Sequence, residues 1–252
     1  MIVNGNKIIA YINGSKKFLK ILEIKIIYHL YRRKFSDIEG KDFSSLNSTT
    51  GALNGATIKE STLNNIYWQL NSSKFVKCTS DKPVKFRINN SKNGDVTFYD
   101  CIFNNTLRIV GNSGSGMYFN NCDIKGICHD VSGNSTLDNQ LIFENCNLTF
   151  NDPSDTIKST GRKFFIKFIN CTINSAYDEP IVRTAKSGNI NVHIEFIDCI
   201  INKTTGILIH DHYNDSYHTD ANLSIILSNT PISIDLGNNN IMNSKIWKIE
   251  NY

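Results

Sequence analysis

One arrangement of apolar and polar positions recurs along the chain: apolar, any, Phe, any, Asn or Asp, Cys, any, apolar. The clear copies run Val96 to Phe103, Met117 to Ile124, Leu141 to Leu148, Ile166 to Ile173 and Ile194 to Ile201. Two divergent copies flank them, Ser73 to Ser80 and Ile225 to Ile232, the last with Leu227 for Phe and Thr230 for Cys. Within a copy Val96 and Phe98 alternate with period two, and so do Cys101 and Phe103, yet Phe98 and Cys101 are three apart. That slip predicts a corner. To keep the apolar side inward through the bend, one residue must leave β geometry, and Asn and Asp tolerate the left-handed region better than other non-glycine residues. The slot holds Asp100, Asn121, Asn145, Asn170, Asp198 and Asn229, with Lys77 the exception.

Successive ladder positions, Cys78, Cys101, Cys122, Cys146, Cys171, Cys199 and then Thr230, are 21 to 31 residues apart, room for one coil of several short strands. A single coil cannot close its own core, whereas stacked coils hydrogen-bond to one another and bury continuous columns of Phe, Cys and Ile or Leu. The pattern therefore predicts an all-β fold, a parallel β-helix of about seven coils, right-handed by the crossover rule. The six ladder cysteines become small inward fillers whose side chains point the same way, a poor arrangement for disulfides, so free thiols are expected. Cys128 lies outside the ladder and reads as a packed thiol, with His129 beside it incidental.

Both ends of an open coil expose strand edges, and a cap is expected. Thr57 and Glu60 have capping-box spacing, and Leu63, Ile66, Tyr67 and Leu70 follow at helical intervals, which predicts a short capping helix. The rival is a strand from Ile66 to Leu70 that buries Ile66, Trp68 and Leu70. Upstream, Lys7, Lys16 and Lys25 each precede an apolar run, Ile8 to Ile12, Phe18 to Leu22 and Ile26 to Leu30. Asn4-Gly5 and Asn13-Gly14 are hairpin signals, so residues 1–34 read as a small β-strand anchoring module. Residues 35–56 then read as a linker and 57–252 as the β-helix.

Composition agrees with strands and tight turns, with 34 asparagines among 252 residues. The formal charge of +4 is uneven: residues 1–34 carry eight Lys or Arg against Glu23, which leaves the remainder at about −3. The basic part is an end and not a face, so nucleic acid is not expected as a partner. The apolar runs near the start are broken by Lys7, Lys16, Lys17 and Lys20, no secretory signal is read there, and no stretch is long enough to insert in a membrane.

Candidate chemistry falls on the wider late gaps, since function tends to lie on such loops. Between Cys171 and Cys199 lie Tyr177, Asp178, Glu179, Arg183 and Lys186, and between Cys199 and Thr230 lie His210, Asp211, His212, Tyr213, Asp215, Tyr217, His218 and Asp220. Asp178, Glu179, Asp211 and Asp215 could supply the two carboxyl groups of a glycosidase, and Arg183 the base of a lyase. His210, His212, His218 and Asp220 are the candidate metal ligands, although their spacing matches no established metal motif. Tyr177, Tyr213 and Tyr217 offer faces for sugar binding. Gly111 to Gly116 lacks the Lys-Ser/Thr ending of a phosphate loop and reads as a turn. No cofactor is expected.

The Phe, Asn and Cys ladder, from about Phe75 to Ile232, resembles the pectate-lyase-like β-helix superfamily, which contains lyases, hydrolases, phage tailspikes and non-catalytic adhesins. The polygalacturonase segments Asn-Thr-Asp, Asp-Asp, Gly-His-Gly and Arg-Ile-Lys are not found, so no catalytic residue carries over. The N-terminal Asn-Gly and Gly-Ser-Lys pattern resembles β-modules that begin some tail and fibre proteins of gut bacteriophages. These resemblances imply a non-catalytic virion structural protein, a tailspike-like tail or head fibre. Other virion proteins would hold residues 1–34, the protein would be a homotrimer, and its β-helix would attach to a host surface glycan. The alternative they imply is a carbohydrate-active depolymerase, a polysaccharide lyase or glycoside hydrolase.

Overall fold

The structure, a computed structural model, describes residues 2–4, 7–9, 38–43, 50–88, 95–111, 116–131, 139–159, 163–184, 191–210 and 222–232. From Ile38 onward the described chain coils repeatedly through three parallel sheets, a parallel β-solenoid. Sheet I stacks nine strands, from Ile38–Glu39 to Asn222–Ser228. Sheet II stacks six, from Thr79–Ser80 to Ile200–Lys203, and sheet III eight, from Thr50–Asn54 to Ile209–His210. One turn runs, for example, through Val96–Tyr99 in sheet I, Ile102–Phe103 in sheet II and Leu107–Gly111 in sheet III.

The passage from sheet I to sheet II is the predicted corner. Asp100, Asn121, Asn145, Asn170, Asp198 and Asn229 all have positive φ, between 44° and 54°, and Lys77 shares it at 53°. Each corner N–H donates to the carbonyl just before the next corner, Lys77 to Tyr99, Asp100 to Asn120 and onward to Asp198 with Ser228, at 2.8 to 3.0 Å. Side chains tie the column outside, with Asn121 Nδ2 donating to Asp100 Oδ1 (2.6 Å), Asn170 to Asn145 (2.7 Å) and Asn229 to Asp198 (2.8 Å). A residue in this conformation brings the next side chain back under the carbonyl two positions earlier. Cys146 Sγ accordingly donates to Glu144 O (3.2 Å) and Cys171 Sγ to Ile169 O (3.3 Å). Ser61 and Thr230 make the same bond with hydroxyls, at 2.7 and 2.9 Å. The ladder thiol is thus a hydrogen-bond donor as well as a filler.

Inside, Phe75, Phe98, Phe119, Phe143, Phe168 and Phe196 stand in register, their rings stacked 4.5 to 5.3 Å apart and within 15° of parallel. Ile58 precedes them in the same column and Leu227 follows. All six ladder cysteines are buried and Cys128 is half-buried, and none of the seven forms a disulfide. His129 lies in the sheet III core, its Nδ1 3.3 Å from Lys158 O and its ring against Phe164.

Three expectations are corrected or extended. Seven coils is not the count: the topology gives six turns with all three strands, and sheets I and III continue beyond them. The upstream rungs escaped the sequence pattern because Ile58 and Ser61 fill the Phe and Cys slots, while Glu60 and Gly40 take the left-handed corner. The segment 35–56 contributes Ile38–Glu39 and Thr50–Asn54 to that extension, paired in parallel with Thr57–Lys59 and Tyr67–Asn71. The capping helix over 57–70 does not form, and no helix occurs among the described residues. Glu60 sits at φ 48°, outside the right-handed helical region, and Ile66, Trp68 and Leu70 are buried with period two around Tyr67–Asn71. The rival strand is what the chain adopts. At the N-terminus Ile2–Asn4 pairs antiparallel with Lys7–Ile9, and the remaining strands expected in residues 1–34 lie outside the described residues.

Candidate functional site

The connections from sheet II to sheet III vary from the single residue Gly126 to the six residues 176–181. Each is held differently. In the first complete turn Asn64 Oδ1 accepts from Ser80 Oγ, Asp81 N and Lys82 N at 2.8 to 3.1 Å. In another Asp155, 3% exposed, accepts from Asn151 N (2.8 Å) and Asp152 N (3.0 Å) through one oxygen, while its Oδ1 is buried without a partner. Burial raises the pKa of this carboxyl above its ordinary value, and the two backbone donors oppose the rise.

The longest of these connections carries the sequence-predicted residues Tyr177, Asp178 and Glu179. It is pinned from beneath. Phe150, Ser175 and Lys203 are in register and point inward, and the small Ser175 leaves space for the Lys203 side chain. Lys203, 1% exposed, donates through Nζ to the carbonyls of Tyr177 and Glu179, the second at 3.1 Å. Burial lowers the ammonium pKa, and the nearby carboxylates of Asp178 and Glu179 oppose that shift. Gly206 completes the seat: its φ is +71°, and a Cβ there would run into the Asp178 backbone carbonyl. Tyr177 and Asp178 face solvent above this pin, and Glu179 is half-buried. The arrangement fixes an aromatic ring and two carboxylates on a stiff loop, and it commits Lys203 to holding that loop. Sequence reasoning did not find Lys203, although its inward slot two residues after Ile201 was a usable signal.

Arg183 stands apart from the loop, on the outward side of Val182–Thr184 in sheet III, where its Nε is buried without a hydrogen-bond partner. His210 ends the strand Ile209–His210. Asp211, His212, Tyr213, Asp215, Tyr217, His218 and Asp220 lie outside the described residues. Among the described residues no group of three or more His, Cys, Asp or Glu side chains is placed to hold a metal.

The three outward faces differ in chemistry. Sheet I carries aromatic and ionic groups, most of them half-buried, that satisfy one another. Lys74 Nζ lies 4.6 Å over the Tyr99 ring, Tyr118 hydroxyl donates to Glu144, and Phe165 stacks on His193 at 5.1 Å. Burial alone would raise the Glu195 pKa, but His193 at 2.7 Å and Lys167 at 2.9 Å hold it below the ordinary value. Sheet II shows a polar ladder in which Asn202 donates to Asn174 (2.8 Å) and Asn174 to Asn147 (3.2 Å). Sheet III is cationic, with Lys85, Arg87, Arg108, Lys158 and Arg183 in its strands against the single acidic position Asp130.

No known family matches the sequence, and no curated protein matches it. A solved structure similar to this chain is that of trypsin-treated QnrB1, a plasmid-mediated fluoroquinolone resistance protein. It is 12% identical, with a TM-score of 0.34 over 86% of this chain and 89% of that one. At that level the likeness carries no inference. What is established is the class of fold: the chain is an all-β parallel β-solenoid.

Proposed function

We propose that this chain is a non-catalytic structural protein of a bacteriophage virion, a fibre or tailspike-like appendage that attaches to a surface. In this reading residues 1–34 anchor it among other virion proteins, the coil is right-handed as in the pectate-lyase-like superfamily, and three copies associate along the long axis. The observation that carries it is the uninterrupted ladder. Stacked phenylalanines, hydrogen-bonded corners and nine parallel rungs in sheet I make a rod in which bending any rung strains its neighbours. Rigidity of this kind suits projection from a particle.

The test is to purify the full chain, measure its mass by sedimentation, and assay its binding to phage particles and to bacterial surfaces. A trimer with affinity for either surface is expected. A stable monomer that binds neither would overturn the reading.

A second reading, a carbohydrate-active depolymerase, draws on Tyr177, Asp178 and Glu179, which share the loop pinned by Lys203. It expects release of reducing ends, or absorbance from unsaturated uronates, that is lost in Asp178→Ala. Silence across a broad glycan panel would count against it.

A further inference from the structure

We propose that the outward face of sheet III binds an acidic polysaccharide laid along the stack. This rests on the surface-attachment reading and names its ligand class and its place on the rod.

On this face the register sets cation against cation. Lys85 stands directly opposite Arg108 on the adjoining rung, and Lys158 directly opposite Arg183. Like charges facing each other across adjacent strands destabilise a sheet. The fold holds two such pairs on one face. Arg87 shares the outward side of the Val84–Ile88 strand with Lys85, and His210 follows Arg183 in the ladder. Asp130 is the acidic position in these strands, on the preceding rung directly opposite Lys158. The neighbouring faces are built otherwise: in sheet I Lys167 is matched by Glu195, and in sheet II Lys125 donates to Asn104. The cationic character therefore belongs to one face of a solenoid whose sequence after residue 34 is net acidic.

Spacing narrows the ligand. Lys85 and Arg183 lie four rungs apart, about 19 Å at about 4.8 Å per strand, so a linear polyanion meets these cations where a single small anion meets one pair. Single-stranded nucleic acid binding relies on aromatic platforms for its bases. On the described part of this face Tyr67 supplies the aromatic ring, and Lys85 Nζ already covers it at 4.6 Å. Sequence-reading of a duplex calls for an element that enters a groove, and the strands of sheet III form a plain ladder. A glycan bearing carboxylates or sulfates needs cations at intervals and polar groups for its hydroxyls, and the half-exposed Gln69, in register with Arg87, adds an amide.

The experiment measures binding of the full chain to alginate, heparin, neutral dextran, and single- and double-stranded DNA at low and high salt. Alginate or heparin should bind, at least tenfold more weakly at high salt, and dextran should not. Arg108→Gln combined with Arg183→Gln should weaken acidic-glycan binding at least tenfold without lowering the melting temperature, while Lys125→Gln on sheet II should leave binding intact. Binding equal to dextran, DNA bound more tightly than either acidic glycan, or indifference to the double substitution would each overturn the proposal. If the double variant still adheres to particles or cells as the parent does, the face is wrongly assigned and surface attachment survives. If the parent binds acidic glycans but no particle or cell, the face stands and the attachment reading fails.

Discussion

The turn from sheet I to sheet II and the connection from sheet II to sheet III bend the same chain in every coil, yet they are built on opposite terms. The first is made by one left-handed residue at every rung from Gly40 to Asn229. Because its neighbours, Phe and Cys, are both buried, any added residue would turn one of them outward. The second has no such constraint on its outer side, so its length drifts from Gly126 to residues 176–181. Its loosened backbone groups are gathered instead by individual buried polar residues, Asn64, Asp155 and Lys203. Repetition supplies one backbone solution many times over, and the irregular connections draw on different side chains at different rungs.

Substitutions can break or sharpen this contrast. The largest effect is expected inside the corner. Phe119→Ala interrupts the ring stack between Phe98 and Phe143 and should cost about 3–5 kcal/mol, read from the denaturant midpoint. A loss below about 1 kcal/mol would mean that the column does not hold the rungs together.

Lys203→Met should cost roughly 1–3 kcal/mol by leaving the Tyr177 and Glu179 carbonyls without their donor. Hydrogen exchange should rise first in residues 176–181. The pH dependence has a definite sign. A lysine whose folded pKa lies below its unfolded value binds fewer protons when folded, so stability gains as pH rises from the folded pKa towards 10.5. Parent and variant should therefore diverge on the alkaline side, and parallel curves there would remove Lys203 from its assigned role.

Asn121→Val places a β-branched residue at φ 54° and removes the bond to Asp100, for an expected cost of about 1–2 kcal/mol. Asn121→Gly, freed of the steric penalty, should cost less than about 1 kcal/mol. If thermal melts place the two variants in the reverse order, the left-handed conformation is not what fixes this corner.

The smallest effect is expected at the ladder slot. Cys122→Ser should cost about 1 kcal/mol or less, because a hydroxyl can donate to Asn120 O as the thiol does. Ser61 and Thr230 already make that bond at the two ends of the column. A collapse of the fold in this variant would show that sulfur packing, and not the local hydrogen bond, sets the slot.

The solenoid was legible from Phe98, Asn121 and Cys146 because inward and corner positions repeat at every rung and each substitution there is felt by two neighbours. The upstream rungs were less legible, since Ile58 and Ser61 satisfy the same steric demand with other residue types. Thr57 to Leu70 carried a helical and a strand-like spacing at once, and pairing with Thr50–Asn54 and Val84–Ile88 chose the strand. The loop of Tyr177, Asp178 and Glu179 could be placed between rungs, but the lysine that seats it comes from the next coil.

By itself the sequence determined the coil, the corner and the buried thiols, because these follow from which side chains must avoid water and which residues accept positive φ. Only the tertiary structure decided that Lys203 reaches under the preceding rung and that Lys85 meets Arg108 and Lys158 meets Arg183. Those meetings depend on register between strands more than twenty residues apart, and connections of unequal length hide that register from any fixed spacing along the chain.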